Sequence, residues 1–290
     1  MNLLNKKFIK NKTKNYLSIL HKINLSFEFF PPSQIDLNQF FWSSIKKLIS
    51  LNPSFMSVTY GANNGNKDNT YSFIKKLQSF TKIDSVPHMT CVHENKIQLE
   101  KLALKYWNSG VKHILALRGD YPKKNIKTQM YAKDLVILLK NIANFKISVA
   151  AYPEIHPEAK SLQSDLMYLK DKIDSGAHQA ITQFFFDIDN FLRFRDRCLG
   201  IGIKEKIIPG ICPIKDFDQV YKFCLLSNIY VPNWIKDLYL KSNQTLAEKN
   251  KIGFQLAINM IQSLYKEGIK DFHIYTLNKS DFIYSICRHL

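Results

Sequence analysis

The sequence is poor in glycine, with 10 glycines among 290 residues, and it lacks the glycine-rich motifs that bind nucleotides. It contains no G-x-G-x-x-G after a predicted strand and no G-x-x-x-x-G-K-[ST]. It also contains no H-E-x-x-H and no G-x-S-x-G. These absences argue against a Rossmann dinucleotide site, a P-loop, a zincin and a serine hydrolase.

Cysteine is scarce, and so are long apolar runs. The five cysteines never form a C-x-x-C pair, so the sequence predicts neither a disulfide framework nor a metal site. No apolar run reaches the about 18 residues that span a bilayer, and the N-terminus lacks the apolar stretch of a signal peptide. We therefore expect a protein of the reducing cytoplasm with no membrane partner.

Arginine is the third scarce residue type. Only five of the 41 basic residues are arginines, although the net charge is 41 − 24 = +17. Nucleic-acid recognition favours arginine forks, whereas this excess of scattered lysines is typical of an AT-rich genome. We therefore expect no nucleic-acid partner. A basic nucleic-acid-binding protein remains the alternative from another class, and steeply salt-dependent binding would support it.

Short runs of β-branched and aromatic residues recur about every thirty residues along the chain. Eight such runs predict strands at Leu25–Phe30, Phe55–Tyr60, Val86–Val92, His113–Arg118, Ser148–Tyr152, Ala180–Phe186, Lys206–Cys212 and Asp271–Leu277. Strands that alternate with helices form a parallel sheet, and eight units close into a barrel. The predicted fold is therefore α/β, a (βα)8 TIM-type barrel.

The intervals between these runs carry the periodicity of amphipathic helices. The clearest examples are Leu99/Leu102/Ala103/Tyr106, Leu135/Leu138/Leu139/Ile142 and Ala257/Met260/Ile261/Leu264. A wider gap between Pro213 and Lys270 predicts a helical insertion before the last strand. Residues 1–22 are predicted to form an extra basic N-terminal helix. Since no flexible linker breaks the chain, residues 1–290 are predicted to be a single domain.

Polar residues follow the predicted strands at the ends where TIM barrels carry their active sites. They are Glu28, Thr59, Tyr60, His88, Arg118, Gly119, Asp120, Tyr152, Glu154, His156, Gln183, Asn278 and Lys279. Each residue taken singly has a structural interpretation, such as a helix cap or a hydrogen-bonded core histidine. Their common position favours a site at the C-terminal face of the barrel.

Glu28 is the most informative of these residues. It lies in the run Ser-Phe-Glu-Phe-Phe-Pro-Pro, where Phe27, Phe29 and Phe30 flank it. A carboxyl group that points inward among aromatic rings is hard to ionise, which suits a general acid at neutral pH. The alternative is a carboxylate paired with a lysine at the rim of the barrel.

Two further groups of charged residues leave alternatives open. Arg118 suits a phosphate oxygen and Asp120 a cationic intermediate, but the two could form a plain ion pair. Asp165 and Lys172 share one face of a predicted helix, where they could bind ribose hydroxyls and a phosphate. A solvated helix face would show the same spacing.

Six motifs together resemble the bacterial type of methylenetetrahydrofolate reductase, and the resemblance covers essentially the whole chain. They are SFEFFPP at 26–32, VTYGAN at 58–63, PHMTC at 87–91, ALRGD at 116–120, AAYPEIHPEA at 150–159 and ITQFFFD at 181–187. The resemblance implies an FAD-dependent barrel that uses NADH to reduce methylenetetrahydrofolate to methyltetrahydrofolate for methionine synthesis. It further implies ping-pong kinetics and a homo-oligomer, by resemblance a homotetramer.

The resemblance also implies a role for individual residues. Glu28 would protonate the bridging nitrogen of the folate, and Asp120 would stabilise the resulting cation beside the flavin. The implied FAD-binding residues are Thr59, Tyr60, Ala62, His88, Arg118, Gly119, Asp120, Tyr131, Ala132, Tyr152, His156, Ala159, Asp165 and Lys172. The implied substrate-binding residues are Gln183, Gln219, Phe223 and Lys279.

Two departures from the family pattern accompany this resemblance. Lys279 stands where arginine is usual, and Asp171 stands where a basic residue is usual. Lysine keeps the charge but loses the bidentate fork of arginine. Another flavin-dependent barrel of the proline dehydrogenase kind is the alternative function, and it would not need an acid at Glu28.

Overall fold

Eight parallel strands close into a barrel in the order of the sequence. The computed structural model describes residues 19–32, 39–60, 67–92, 94–119, 130–240 and 244–290. The strands are β1 Asn24–Phe29, β2 Phe55–Val58, β3 Asp84–Thr90, β4 His113–Leu117, β5 Lys146–Ala151, β6 Gln179–Phe184, β7 Lys206–Ile211 and β8 Asp271–Tyr275. β8 pairs with β1, so Glu28 lies opposite Tyr275. The predicted TIM-type barrel is confirmed.

The described part of the chain forms ten α-helices on the outside of this barrel. They are α1 Gln39–Ile49, α2 Lys67–Phe80, α3 Lys96–Asn108, α4 Ala132–Ile142, α5 Leu162–Asp174, α6 Ile188–Gly200, α7 Phe217–Leu226, α8 Asn233–Tyr239, α9 Leu246–Lys266 and α10 Ser280–Cys287. The periodic residues face the core as predicted: Leu99, Ala103 and Tyr106 of α3 are fully buried. Helices α8 and α9 confirm the predicted insertion before the last strand.

Side chains of successive strand residues point to opposite faces, which produces two apolar cores. Outward-facing residues such as Phe27 and Phe29 pack in the larger core between strands and helices. Inward-facing residues fill the middle of the barrel with a smaller cluster made of Phe55, Val86, Leu115, Ile181 and Ile208. Because this cluster closes the barrel halfway, a ligand that enters from the C-terminal end meets a floor.

The predicted N-terminal helix lies mostly outside the described residues. Of residues 1–22, the structure describes 19–22, and Leu20–Lys22 forms one turn of 3-10 helix before β1. Within the described ranges, no helix is both long enough and apolar enough to cross a bilayer.

Candidate active site at the C-terminal mouth of the barrel

A cavity of about 1200 Å³ opens at the C-terminal ends of the strands. This volume exceeds the roughly 300–1,000 Å³ of ordinary small-molecule sites, so it has room for two ring systems together. Leu115 and Ile181 of the inner cluster contribute to its floor. The site therefore forms where the architecture predicts it.

Glu28 lies in this cavity, and two histidine side chains lie within 4 Å of its carboxyl group. Its Oε2 lies 3.4 Å from Nε2 of His88 and 3.6 Å from Nε2 of His273. The expected setting among phenylalanine rings was wrong for Phe27 and Phe29, which point outward into the larger core, whereas Phe30 lines the cavity with Glu28. The Glu28 side chain is 11% exposed at the bottom of the mouth, where its carboxyl group lies within 4 Å of two imidazole rings.

His88 is neutral at physiological pH. Burial lowers its pKa to about 4, against the opposing effect of Glu28, and His273 adds to the lowering. Its Nε2 forms no hydrogen bond of acceptable geometry in the described structure, although Glu28 is within ion-pair distance. A neutral ring with a free nitrogen can bind a ligand atom or exchange a hydrogen bond with Glu28.

His273 connects Glu28 to the interior of the barrel. Its Nδ1 lies 2.8 Å from Oγ of Ser26, and its Nε2 lies 3.4 Å from Oγ of Ser57. Ser26 in turn donates to the carbonyl of Phe272. All of these groups are buried, so the two hydroxyls fix the orientation of the His273 ring beneath Glu28.

The backbone around Glu28 is fastened to the end of β8. The hydroxyl of Thr276 donates to the carbonyl of Glu28 at 2.5 Å. The amide of Asn278 accepts from the N–H of Phe30 at 3.0 Å and donates to its carbonyl at 2.9 Å. Asn278 can do this because it has a φ of +58°, which turns the chain back over β1. This clamp continues the sheet past the last strand residues.

Arg118 forms an ion pair across the mouth with a partner that the sequence did not reveal. Two guanidinium nitrogens donate to the carboxylate of Glu158, and Nε donates to the carbonyl of Gly119 at 3.1 Å. Arg118 also lowers the pKa of Glu158. The described residues thus show an ion pair of Arg118 with Glu158. The pairing with Asp120 that the sequence left open falls on a residue outside the described part of the chain.

Asp165 and Lys172 both line the cavity, as their shared face predicts. Asp165 accepts from the N–H of His156 at 2.8 Å, and Nζ of Lys172 donates to the carbonyl of Ala150 at 2.6 Å. Burial lowers the pKa of Lys172 to about 8, and Asp165 opposes this shift. The interpretation of these two residues as a solvated helix face was therefore wrong.

Several buried polar atoms in the mouth have no partner in the described structure. They include the hydroxyls of Thr59 and Thr90. Beside them, Gly119 has a φ of +89°, and a Cβ atom there would lie 2.9 Å from side-chain atoms of Thr90 and Val92. The chain can pass this close to β3 only with glycine. Unpaired hydroxyls next to an exposed backbone turn suit a polar ring ligand.

The structure brings most of the predicted site residues together. The cavity wall contains Glu28, Thr59, Tyr60, His88, Arg118, Gly119, Tyr131, Ala132, Tyr152, His156, Ala159, Asp165, Lys172, Gln183 and Phe223. Gln219 and Lys279 are exposed and are not among the wall residues. The predicted residues Ala62 and Asp120 lie outside the described residues.

Sequence reasoning missed His273, Tyr275 and Glu158. The strand residues Asp271, His273 and Tyr275 alternate with apolar ones, and this period of two already indicated that they point inward. Tyr275 lines the cavity. Burial is the main cause that raises its pKa, and the nearby Glu28 raises it further. No comparable signal marked Glu158.

Acid is expected to destabilise the fold through its buried histidines. Burial lowers the pKa of His113 to about 3 and of His88 to about 4, so the unfolded chain, with values near 6.5, binds more protons below that pH. Stability present above pH 6.5 is therefore lost as the pH falls. From pH 6.5 to 5.5 we expect a loss of about 2 kcal/mol for the pair.

Thermal melts between pH 5.5 and 7.5 would measure this loss. The variant His113→Gln, at the opposite end of the barrel from the cavity, should lose about 1 kcal/mol less than the wild type between pH 6.5 and 5.5, because it lacks one of the buried histidines. An unchanged slope in this variant would contradict the assignment of the proton uptake to the buried histidines.

A closed (βα)8 barrel with a carboxyl group between two imidazoles at its C-terminal mouth defines an enzyme of the TIM-barrel class. Within the described residues, no group of His, Cys, Asp or Glu side chains is arranged to hold a metal ion. The chain belongs to the methylenetetrahydrofolate reductase family, because the model of that family matches residues 13–290.

Similar proteins support this family assignment. The 5,10-methylenetetrahydrofolate reductase of Pectobacterium carotovorum is 51% identical over 269 residues, which cover 93% of this chain and 90% of that protein. The Escherichia coli protein of the same name is 49% identical, with 93% and 91% covered. Methylenetetrahydrofolate reductase (NADH) 1 of Arabidopsis thaliana is 32% identical over 87% of this chain and 46% of that protein.

A solved structure confirms the fold independently of sequence. An uncharacterised protein from Clostridium thermocellum, described as binding two copies of 5-methyl-5,6,7,8-tetrahydrofolic acid, superposes with a TM-score of 0.66. The superposition covers 94% of this chain and 99% of the Clostridium thermocellum chain, at 12% sequence identity. At this identity the likeness shows the barrel fold alone.

Proposed function

We propose that this protein reduces methylenetetrahydrofolate to methyltetrahydrofolate, with FAD as cofactor and NADH as electron donor. The observation that carries the proposal is the position of Glu28 in the mouth of the barrel, within reach of His88 and His273. The membership of the chain in the methylenetetrahydrofolate reductase family supports the same reaction.

The wall of the cavity fits FAD. Its volume of about 1200 Å³ accommodates a flavin and a second ring. The unpaired hydroxyls of Thr59 and Thr90 offer hydrogen bonds to a polar ring. Lys172 offers positive charge to a phosphate, and Asp165 on the same helix face offers a carboxylate to ribose hydroxyls. When bound, FAD would supply hydride transfer between the nicotinamide and the folate.

Glu28 has the position of a general acid in this reaction. Methylenetetrahydrofolate must be protonated on its bridging nitrogen before its ring opens to an iminium that can accept hydride. Glu28 would donate this proton, because it is the carboxyl group among the described residues at the bottom of the mouth. His273, oriented by Ser26, lies 3.6 Å from its carboxyl group, while Thr276 and Asn278 hold the backbone of Glu28 and Phe30.

The opposite side of the cavity would bind the two substrates in turn. Gln183 and Phe223 line it, and Leu277 stands beside them at the end of β8. Since one cavity serves both the nicotinamide and the folate, the kinetics should be ping-pong. Roles for Gln219 and Lys279 require a ligand that extends beyond the described cavity wall, and the role of Asp120 stays a prediction.

Flavin absorbance tests the proposed function directly. The purified protein should be yellow, lose its colour with NADH under anaerobic conditions and recover it with methylenetetrahydrofolate. A protein that is bleached by NADH but is not reoxidised by the folate would be a flavin barrel of another kind. A colourless protein that binds no added FAD would refute the cofactor.

The affinity for FAD should depend on pH through Lys172. Burial gives this side chain a pKa of about 8, and only its protonated form attracts a phosphate. Above pH 8 the binding reaction must take up a proton, so the Kd should rise by up to about tenfold per pH unit. Titration of flavin-free protein from pH 6.5 to 9 measures this, and Lys172→Met should abolish the pH dependence while weakening binding at pH 7.

The remaining expectations belong to the same proposal. The five cysteines are all buried and unpaired, which supports work in a reducing compartment such as the cytoplasm. The homotetramer and the role in methionine synthesis stay predictions. Light scattering on the purified protein would measure the number of subunits.

A further inference from the structure

The rim of the cavity between α4 and α5 carries an ion pair that has no role in the proposed proton transfer. Nζ of Lys133, in the first turn of α4, lies 3.2 Å from Oδ2 of Asp171 on α5. Both residues line the cavity wall, next to Lys172 and Tyr168. The pair therefore faces the same space as the residues that would hold the cofactor.

Three cationic side chains line the described wall of this cavity, and they differ in how firmly they are held. Arg118 is engaged by both oxygens of Glu158 and by the carbonyl of Gly119. Lys172 donates one hydrogen bond, to the carbonyl of Ala150 at 2.6 Å. Among the described residues, Lys133 contacts one acidic partner, Asp171, and both side chains are 46% exposed. An exposed ion pair of this kind contributes little to stability, so Lys133 can add a new acceptor at little cost.

The chemistry of lysine allows Lys133 to keep Asp171 and bind a ligand at the same time. An ammonium group has three donor hydrogens, of which Asp171 uses one. Asp171 restricts the flexible Lys133 side chain to the cavity side of the rim, which reduces the entropy that anion binding would cost. The two remaining hydrogens suit the oxygens of a phosphate.

We propose that Lys133 binds a phosphate group of the dinucleotide cofactor and that Asp171 positions it for this contact. The inference rests on the proposed function, since it requires FAD as the occupant of the cavity. It assigns a binding role to Lys133. It also explains why a carboxylate, Asp171, lies beside a site for an anion: Asp171 orients the Lys133 side chain. In this arrangement the positive charge at the rim comes from Lys133 on α4, which faces Asp171 on α5.

The test compares two flavins that differ in their phosphates. Flavin-free protein is titrated with FAD and with riboflavin, which has the ring but no phosphate, and binding is followed by flavin fluorescence. Lys133→Ala should raise the Kd for FAD about tenfold and leave the Kd for riboflavin within about twofold. The salt dependence of FAD binding should also become weaker, since one charge contact is lost.

Lys170→Ala is the matched control. Lys170 also forms an ion pair with an aspartate, since its Nζ lies 2.7 Å from Oδ1 of Asp174. Both residues belong to α5, as Asp171 does, but neither lines the cavity. This variant removes a lysine and breaks a pair without touching the proposed contact. Its affinity for FAD should equal that of the wild type.

A charge reversal tests the positioning role of Asp171. Lys133→Asp should weaken FAD binding more than Lys133→Ala, because it places two carboxylates at the rim. Adding Asp171→Lys returns a cation and its partner to the same rim, so the double variant should regain affinity to within about threefold of the wild type. Failure of the double variant to improve on Lys133→Asp would overturn the positioning role.

Three outcomes separate this inference from the proposed function. Unchanged FAD affinity in Lys133→Ala, or an equal loss for FAD and riboflavin, would overturn the phosphate contact while the cofactor assignment stands. A wild-type protein that binds neither flavin would overturn both. Circular dichroism melts of each variant identify any loss that comes from unfolding.

Discussion

Glu28→Gln should abolish reduction of methylenetetrahydrofolate while leaving oxidation of NADH largely intact. Glutamine keeps the shape of the side chain and can still contact His88 and His273, but it has no proton to donate. General acid catalysis by one side chain typically contributes about 10²- to 10⁴-fold to the rate. The folate half-reaction should therefore slow by at least about 100-fold. The NADH half-reaction needs no proton from this group and should change by less than about threefold.

Rapid-mixing measurements of flavin absorbance separate the two half-reactions in the same preparation. Glu100→Gln, a change at a partly exposed site on α3 remote from the cavity, serves as the control and should leave both rates unchanged. Equal losses in the two half-reactions of Glu28→Gln would mean that Glu28 holds the flavin or the fold rather than delivering a proton.

The sequence was sufficient to predict the barrel, because strands and helices each leave a local hydrophobic period in the chain. Each of the eight predicted strands overlaps an observed one, and the largest shift of a boundary is two residues. Several strands begin earlier than predicted, as at Asp84 and Lys146, because charged residues at the N-terminal rim can join the ladder while facing water. Apolar pattern alone cannot detect such ends.

The same rim weakens one argument from the sequence. Polar residues at the C-terminal ends of the strands predict the site, yet the opposite end carries Asn24, Lys146, Gln179 and Asp271 around a cavity of about 180 Å³. What distinguishes the two ends is the volume available, about 1200 Å³ at the C-terminal mouth. Volume is a property of the closed barrel and has no local signal in the chain.

The contacts that organise the site join residues far apart in the sequence. Asn278 and Phe30 are separated by 248 positions, and Arg118 and Glu158 by 40. Residue types and spacing suggest that a group belongs to the mouth, as they did for Arg118, but not which partner it has. Even the neighbours of Glu28 follow from the pairing of β1 with β8, which brings His273 beneath it.

Gly210→Ala should severely weaken both the fold and the site. Gly210 lies in β7, where its N–H donates to the hydroxyl of Thr182 and the ring of Tyr275 covers its Cα. An added Cβ would lie 2.2 Å from the carbonyl oxygen of Thr182 and 2.6 Å from Cε2 of Tyr275. A backbone oxygen cannot rotate away, so β6 and β7 must separate or Tyr275 must move into the cavity.

Overpacking of this kind costs about 3 kcal/mol, which for a chain of this size lowers Tm by roughly 6–12 °C. Differential scanning calorimetry measures the loss. Gly200→Ala at the end of α6, where a Cβ meets nothing within 4 Å, is the matched control and should be neutral or slightly stabilising. A Gly210→Ala variant with the Tm and the half-reactions of the wild type would show that β6 and β7 can part without cost, and that the wall formed by Tyr275 is not fixed by close packing against β7.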